Sequence, residues 1–208
     1  VAVKVFDDIL LQGIRSGQMP ARTAKAREWY REQARGIART QRNRSQGDRL
    51  IREIRADEDR NNTNRFMMGN MYLFAYDPKH KDTLPYYDRF PLVFPINKAK
   101  GGFLGINMHY LPPILRAKLM DQLYTVLNNK DFNETTRLKA SYNILNGAAK
   151  FKEFKPTIKH YLSAHVRTKP AYINPTEWDI ALFLPTQKFV GATANQVYKD
   201  SRRIIRGR

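Results

Sequence analysis

Four prolines, Pro78, Pro85, Pro91 and Pro95, fall between residues 77 and 97. A proline inside a helix removes a backbone donor and its ring collides with the preceding turn, so no continuous helix can run there. Around these prolines the apolar residues alternate. "NMYLFAYD" sets Tyr72, Phe74 and Tyr76 on one face and Met71, Leu73 and Ala75 on the other, the two-residue period of a strand. "RFPLVFPI" gathers Phe90, Leu92, Phe94 and Ile96, and "GFLGINMHYL" gathers Leu104, Ile106, Met108 and Tyr110. Alternate N–H groups of a strand point to the same neighbour, so Pro91 and Pro95 strip donors from one side only. That strand is expected at a sheet edge or with a bulge. "NKAKGG" joins the last two strands as a hairpin loop, with glycine supplying positive φ. Residues 66–112 are therefore expected to form a small curled antiparallel sheet or an SH3-like barrel.

From Pro112 the spacing turns helical, and residues 113–208 read as a helical subdomain packed with the sheet. Proline suits a first helical turn, where its missing N–H has no partner to lose. Leu115, Leu119, Leu123 and Val126 make one stripe; a second helix begins near Asn133 and buries Leu138, Tyr142 and Leu145. A third is expected after Pro156, with Ile158, Tyr161, Leu162 and Val166 spaced for a helix. "EWDIALFLP" is short, apolar and flanked by prolines, so it reads as a strand added to the sheet. The last helix opens on Thr193 and Gln196, the two ends of a capping box. It is expected to bury Val197, Tyr198, Ser201 and Ile204.

Residues 1–65 differ in chemistry: thirteen Arg and two Lys stand against nine acids. Val3, Phe6, Leu10 and Ile14 recur at helical spacing, with Ser16-Gly17 as a stop. Arg27, Arg31, Arg35 and Arg39 follow four apart, a single helical stripe tempered by Glu28 and Glu32. After "RNRSQGD" a shorter helix leads to the polar break "NNTN". A helix this polar buries little by itself, so the region reads as an extended basic helical arm. The fold class is α+β: arm, curled sheet, helical subdomain.

Charge limits the partners. Thirty-seven Lys and Arg against nineteen acids give +18, a field that favours polyanions or acidic protein neighbours. The residues expected to make such contacts are Arg22, Lys25, Arg27, Arg31, Arg35, Arg39, Arg42 and Arg44 on the arm. Lys98 and Lys100 would add to them from the hairpin loop, and Arg202, Arg203 and Arg206 from the C-terminal helix. With no cysteine there are no disulfides, thiolate metal sites or thiol nucleophile. No run of eighteen apolar residues suggests a membrane span.

Motifs for catalysis are sparse. Gly101, Gly102 and Gly105 lead into a strand, whereas a phosphate-binding P-loop or a dinucleotide fingerprint opens a helix. "KGGFLGI" and "MYLFAY" echo the two aromatic strands of an RNA-recognition fold, but that fold needs a helix where the four prolines stand. His160 and His165, five apart, would not share a helical face. Glu153 and Lys155 form an E-x-K that a metal nuclease would complete with Asp77 or Asp88. No cofactor, metal or catalytic residue is otherwise indicated.

The run "MYLFAYDPKHKDTLPYYDRFPLVFPINKAKGGFLGINMHYLPPILRAKLMDQLY", with "FKPTIKHYL" and "EWDIALFLP", resembles virion-associated proteins of large contractile-tailed bacteriophages of the T-even type. The resemblance covers about residues 66–206 and leaves the arm aside. It implies a non-enzymatic structural protein of the neck or baseplate, docked by its arm to other virion subunits in a symmetric ring, in a particle assembled in the host cytoplasm. Proteins protecting the ends of packaged DNA belong to the same association, so sequence-nonspecific binding of double-stranded DNA is the alternative. A metal-dependent nuclease is the third reading. Neither a membrane nor a small-molecule substrate is implied.

Overall fold

A computed structural model of the chain describes residues 5–18, 23–40, 49, 51–52, 54, 56 and 65–207. Five strands make its sheet: β1 (Met71–Leu73), β3 (Leu92–Ala99), β4 (Gly102–Asn107), β5 (Ile158–Leu162) and β6 (Ala171–Ile173). Their order is β5-β4-β3-β1-β6, each neighbouring pair antiparallel. A separate ladder pairs β2 (Tyr87–Asp88) with β7 (Phe189–Val190). The sheet stays open, the curled alternative rather than the barrel.

The alternation assigns the two faces within the strands, but Phe90 and Tyr110 fall outside both clusters, because β3 begins at Leu92 and β4 gives way to a 3-10 turn at Met108–Tyr110. Met71, Leu73, Leu92, Phe94, Ile96, Ile106 and Met108 enter the main core. Tyr72, Phe74, Tyr76, Val93, Phe103 and Tyr161 form a second, mostly aromatic cluster on the other side. Phe66 caps that cluster edge-on to Tyr72 and Phe74. β3 is central, not an edge: it pairs with both β1 and β4. It accommodates Pro95 by a register shift between Pro95 and Asn97, the bulge that a missing donor demands. Ala99 pairs with Gly102, leaving Lys100-Gly101 as the turn, and Gly101 takes φ +75°. The glycines that follow serve packing. A Cβ on Gly105 would meet Val93 Cγ1 at 2.3 Å, so the stretch is a hairpin built for close approach.

The helices are α1 (Val5–Arg15), α2 (Ala24–Thr40), α3 (Pro113–Leu127), α4 (Glu134–Ala148), α5 (Trp178–Ala181) and α6 (Ala194–Ile205). Asn133 and Thr193 cap α4 and α6, their side chains accepting the N–H groups of Thr136 and Gln196. On α6, Val197 and Ser201 are buried, but Ile204 is 51% exposed and lies outside the core.

Two expected elements exchange identities. Residues 158–162, expected in a helix, are strand β5, and 178–181, expected in a strand, are helix α5. β5 aligns with β4 from Gly102↔Leu162 to Ile106↔Ile158. A Cβ on Gly102 would lie 1.8 Å from the Tyr161 carbonyl oxygen, so this glycine admits the strand. α5 grows from a 3-10 turn at Pro175–Glu177. There the Asn174 N–H donates to Glu177 Oε2 at 3.0 Å, and Pro175 occupies the first helical position.

The N-terminal helices, expected as an arm, lie on the core. Phe6, Ile9, Tyr30, Ala34 and Ile54 are buried in the same cluster as the sheet residues. α2 packs against α5, held there by Arg31, whose Nε donates to Asp179 at 2.7 Å inside the protein.

Candidate nucleic-acid interface

The basic residues expected to face a partner divide into three groups. Arg22, Arg42 and Arg44 lie outside the described residues. Arg27, Arg31 and Arg35 face carboxylates of the chain itself. Arg31 reaches Asp179 and Asp121 at 2.7 and 2.8 Å, Arg27 reaches Asp121 at 3.5 Å, and Arg35 holds Glu28 and Glu32. Arg27 and Arg31 therefore serve to dock α2, since Asp121 and Asp179 stand on α3 and α5, whereas Arg35 pairs within α2 itself. Lys25, Arg39, Lys98, Lys100, Arg202, Arg203 and Arg206 are exposed, with Arg39 within 3.8 Å of Glu32.

A cavity of about 480 Å³ lies beside β5, lined by Lys79, Lys159, His80 and His160 rather than by the cations named above. Its floor is Asp88, Asn107, Tyr110 and Tyr161, all buried. Tyr86 and Tyr87 stand half-buried as one wall, and Lys79, His80 and His160 reach its mouth from the surface. The His160 ring lies 3.1 Å from the Lys100 carbonyl oxygen, which brings the hairpin turn to the rim. On the opposite side Tyr86 adjoins Asp200 and Arg203 of α6. Thus the backbone at Lys100 and the side chain of Arg203, far apart in sequence, each adjoin a residue of the cavity lining. Lys199, Arg202 and Arg206 follow a different line of α6, spaced three and four apart on its outer side.

Lys159 is the least conventional residue of the cavity. It is half-buried on β5, with Nζ 4.2 Å from the centre of the Tyr110 ring, a cation–π contact. Burial pulls its ammonium below the ordinary lysine value of 10.5, and no carboxylate counters the shift. A partly desolvated cation with only a ring for company favours an incoming anion.

The nearest acid is already committed. Asp88 Oδ2 accepts from His109 Nδ1 at 2.7 Å and from Asn107 Nδ2 at 3.2 Å. Its Oδ1 accepts the N–H groups of Phe90 and Lys188, both at 3.1 Å. Burial pushes this carboxyl up, but His109 and those N–H groups outweigh it and hold it below its ordinary range. Burial likewise holds His109 below 6.5, against the pull of Asp88. His109 is then neutral with its proton on Nδ1, and Thr186 Oγ1 donates to Nε2 at 3.1 Å. The order Asp88–His109–Thr186 resembles an acid–base–nucleophile relay, but His109 and Thr186 are sealed at 0% and 3% exposure. The arrangement joins β2, the 3-10 turn after β4, and the segment before β7, and so builds the cavity floor.

The E-x-K reading loses its partners. Asp88 is consumed as described, and Asp77 pairs with Lys81 at 3.0 Å and Arg167 at 3.2 Å. Among the described residues no group of three His, Asp or Glu could hold a metal ion. None of these residues forms a helix long and apolar enough to cross a membrane.

Of the cations expected from the sequence none lines the cavity, and sequence reasoning missed Lys159, Tyr86, Tyr110 and His160, which do. The helical expectation for 158–166 dispersed Lys159 and His160 around a helix, whereas the strand places Lys159 in the cavity wall. The period-two run Ile158–Lys159–His160–Tyr161, rich in β-branched and aromatic residues, was the available signal.

Fold and cavity together define an α+β protein with an open antiparallel sheet and a cation-rimmed aromatic cleft. The chain belongs to the family described as phage T4 terminal DNA protecting protein, whose model matches residues 14–203. That span begins in α1 and includes α2, so the family likeness extends into the segment that the sequence resemblance had left aside. No curated protein and no solved structure matches the chain.

Proposed function

We propose that this chain binds the ends of double-stranded DNA and shields them from nucleases, without catalysis of its own. The observation that carries this reading is the family match over residues 14–203, whose description names terminal DNA protection. The net charge of +18 and the rim of the cleft supply suitable chemistry. Lys98, Lys100 and Arg203 would contact phosphates, which position a protein on DNA without reading its sequence. Because such a protein acts on packaged DNA, the reading places it in the virion. Docking to virion subunits through an N-terminal arm draws less support, since Arg27, Arg31 and Arg35 spend their charge on internal carboxylates.

The test is an exonuclease challenge. Linear duplex incubated with the chain should survive an exonuclease that enters at duplex ends, while an endonuclease cuts the same DNA unhindered. Equal protection from both enzymes would indicate general coating, and protection from neither would refute the reading.

A further inference from the structure

We infer that the cleft beside β5 receives the terminal nucleotide of a DNA strand, unpaired or frayed from the duplex, with its base against the tyrosines and its phosphate on Lys159. This deepens the end-binding reading and rests on it. Volume is the first argument. About 480 Å³ lies within the roughly 300–1,000 Å³ of small-ligand clefts; it has room for one nucleotide and none for a base pair in its duplex.

Composition is the second argument. Tyr86 and Tyr87 present half-buried rings at the wall, and Tyr110 lies behind Lys159. Base–aromatic stacking is strong and indifferent to base identity, which suits a protein that must accept any terminus. Lys159 Nζ is held at 4.2 Å from the Tyr110 ring, so a base stacked nearby would leave its phosphate within the reach of an ammonium. Lys79 at the mouth adds positive charge where the strand would enter. Asp88 keeps its negative charge at the floor, screened by the N–H donors that both its oxygens accept, so the phosphate would sit on the Lys159 side of the cleft.

Access is the third argument. Extracting a base from a duplex costs unstacking and unpairing, and costs least where the base is already single-stranded. A cleft for one nucleotide therefore discriminates an end from the interior of DNA, which phosphate contacts alone cannot do.

The test uses duplexes with one end closed by a loop and the other blunt or carrying a short single-stranded overhang, measured by fluorescence anisotropy. The overhang should bind about tenfold tighter or more than the blunt end, the factor expected from one stacked base. Lys159→Gln and Tyr86→Ala should each abolish that preference, and Lys159→Arg should restore it. Lys139→Gln, on the exposed side of α4, should leave it unchanged. A 2-aminopurine base at the overhang terminus should be quenched on binding to the native chain and not to Tyr86→Ala.

Equal affinity for blunt and overhanging ends would overturn this inference while leaving end binding intact. Binding that ignores ends altogether, equal on a duplex looped at both ends, would overturn the end-binding reading instead. A deoxynucleoside monophosphate that binds as tightly as the overhang would assign the cleft to free nucleotides and refute the proposal.

Discussion

Asp88 and His109 stand 21 residues apart in the chain, and nothing in their local sequence links them. Folding brings them together at 2.7 Å with no water-facing surface, and the consequence is a pH dependence. Both groups are held below their ordinary values, so the folded chain binds fewer protons than the unfolded one wherever either titrates. Stability is then complete above the ordinary histidine value of 6.5. It falls as acid protonates the unfolded histidine, and falls again as pH drops below 3.8 and Asp88 is titrated. Melting followed from pH about 7.5 to about 5 should show a steady loss of Tm, and His109→Gln should flatten that limb. An unchanged slope in the variant would remove His109 from the account. Arg116 shows the same dependence on folding. Buried without a carboxylate, it donates to the carbonyl oxygens of Leu111, Leu182 and His109 and to Tyr198. In the sequence it reads as one more surface cation between helical leucines.

At the scale of elements, alternation was the dependable signal and short apolar runs were the weak one. The strands around Tyr72, Phe94 and Ile106 were legible because the prolines exclude a helix there and short apolar runs bounded by turn residues suit strands buried on both faces. Residues 158–162 and 178–181 were misjudged because Ile158, Tyr161 and Leu162 match a helical spacing by coincidence, and "WDIALFL" suits either element. The second error was avoidable: Asn174, Pro175 and Glu177 make a helix-start signature of the kind recognised at Thr193. The N-terminal helices were misplaced for another reason. Composition shows that α2 is polar, but not that its arginines meet carboxylates at positions 121 and 179. Arg31 carries the test of that packing. Removing Arg31 strips the buried Asp179 of its ion pair, which costs about 3–5 kcal/mol, whereas removing Asp179 costs less because Arg31 keeps Asp121 at 2.8 Å. Replacing both by leucine should cost well below the sum of the single changes. A free arm predicts instead that Arg31→Leu changes stability by about 0.5 kcal/mol or less; urea titration of the three variants decides between them.

For the whole molecule, the charge of +18 favours a polyanionic or acidic partner but does not say where one would bind. The fold answers part of that. It pairs Arg27, Arg31 and Arg35 with carboxylates of the chain and sets Lys79 and Lys159 in one aromatic cleft, with the hairpin turn and Arg203 beside residues of its lining. That cleft was not legible in the sequence, since its walls come from the loop before β2, β2 itself, the end of β4 and the turn after it, and strand β5. Phosphate contacts release counterions, so affinity should fall steeply with salt, by a log–log slope of about −0.9 for each phosphate neutralised.

The most direct measurement compares two duplexes of equal length and sequence, one with open ends and one with both ends closed by loops, titrated from about 50 to about 200 mM salt. DNA-end binding predicts tighter binding to the open duplex at every salt concentration, with a steep negative slope for both. Equal affinity for the two duplexes, or affinity that does not respond to salt, would contradict it.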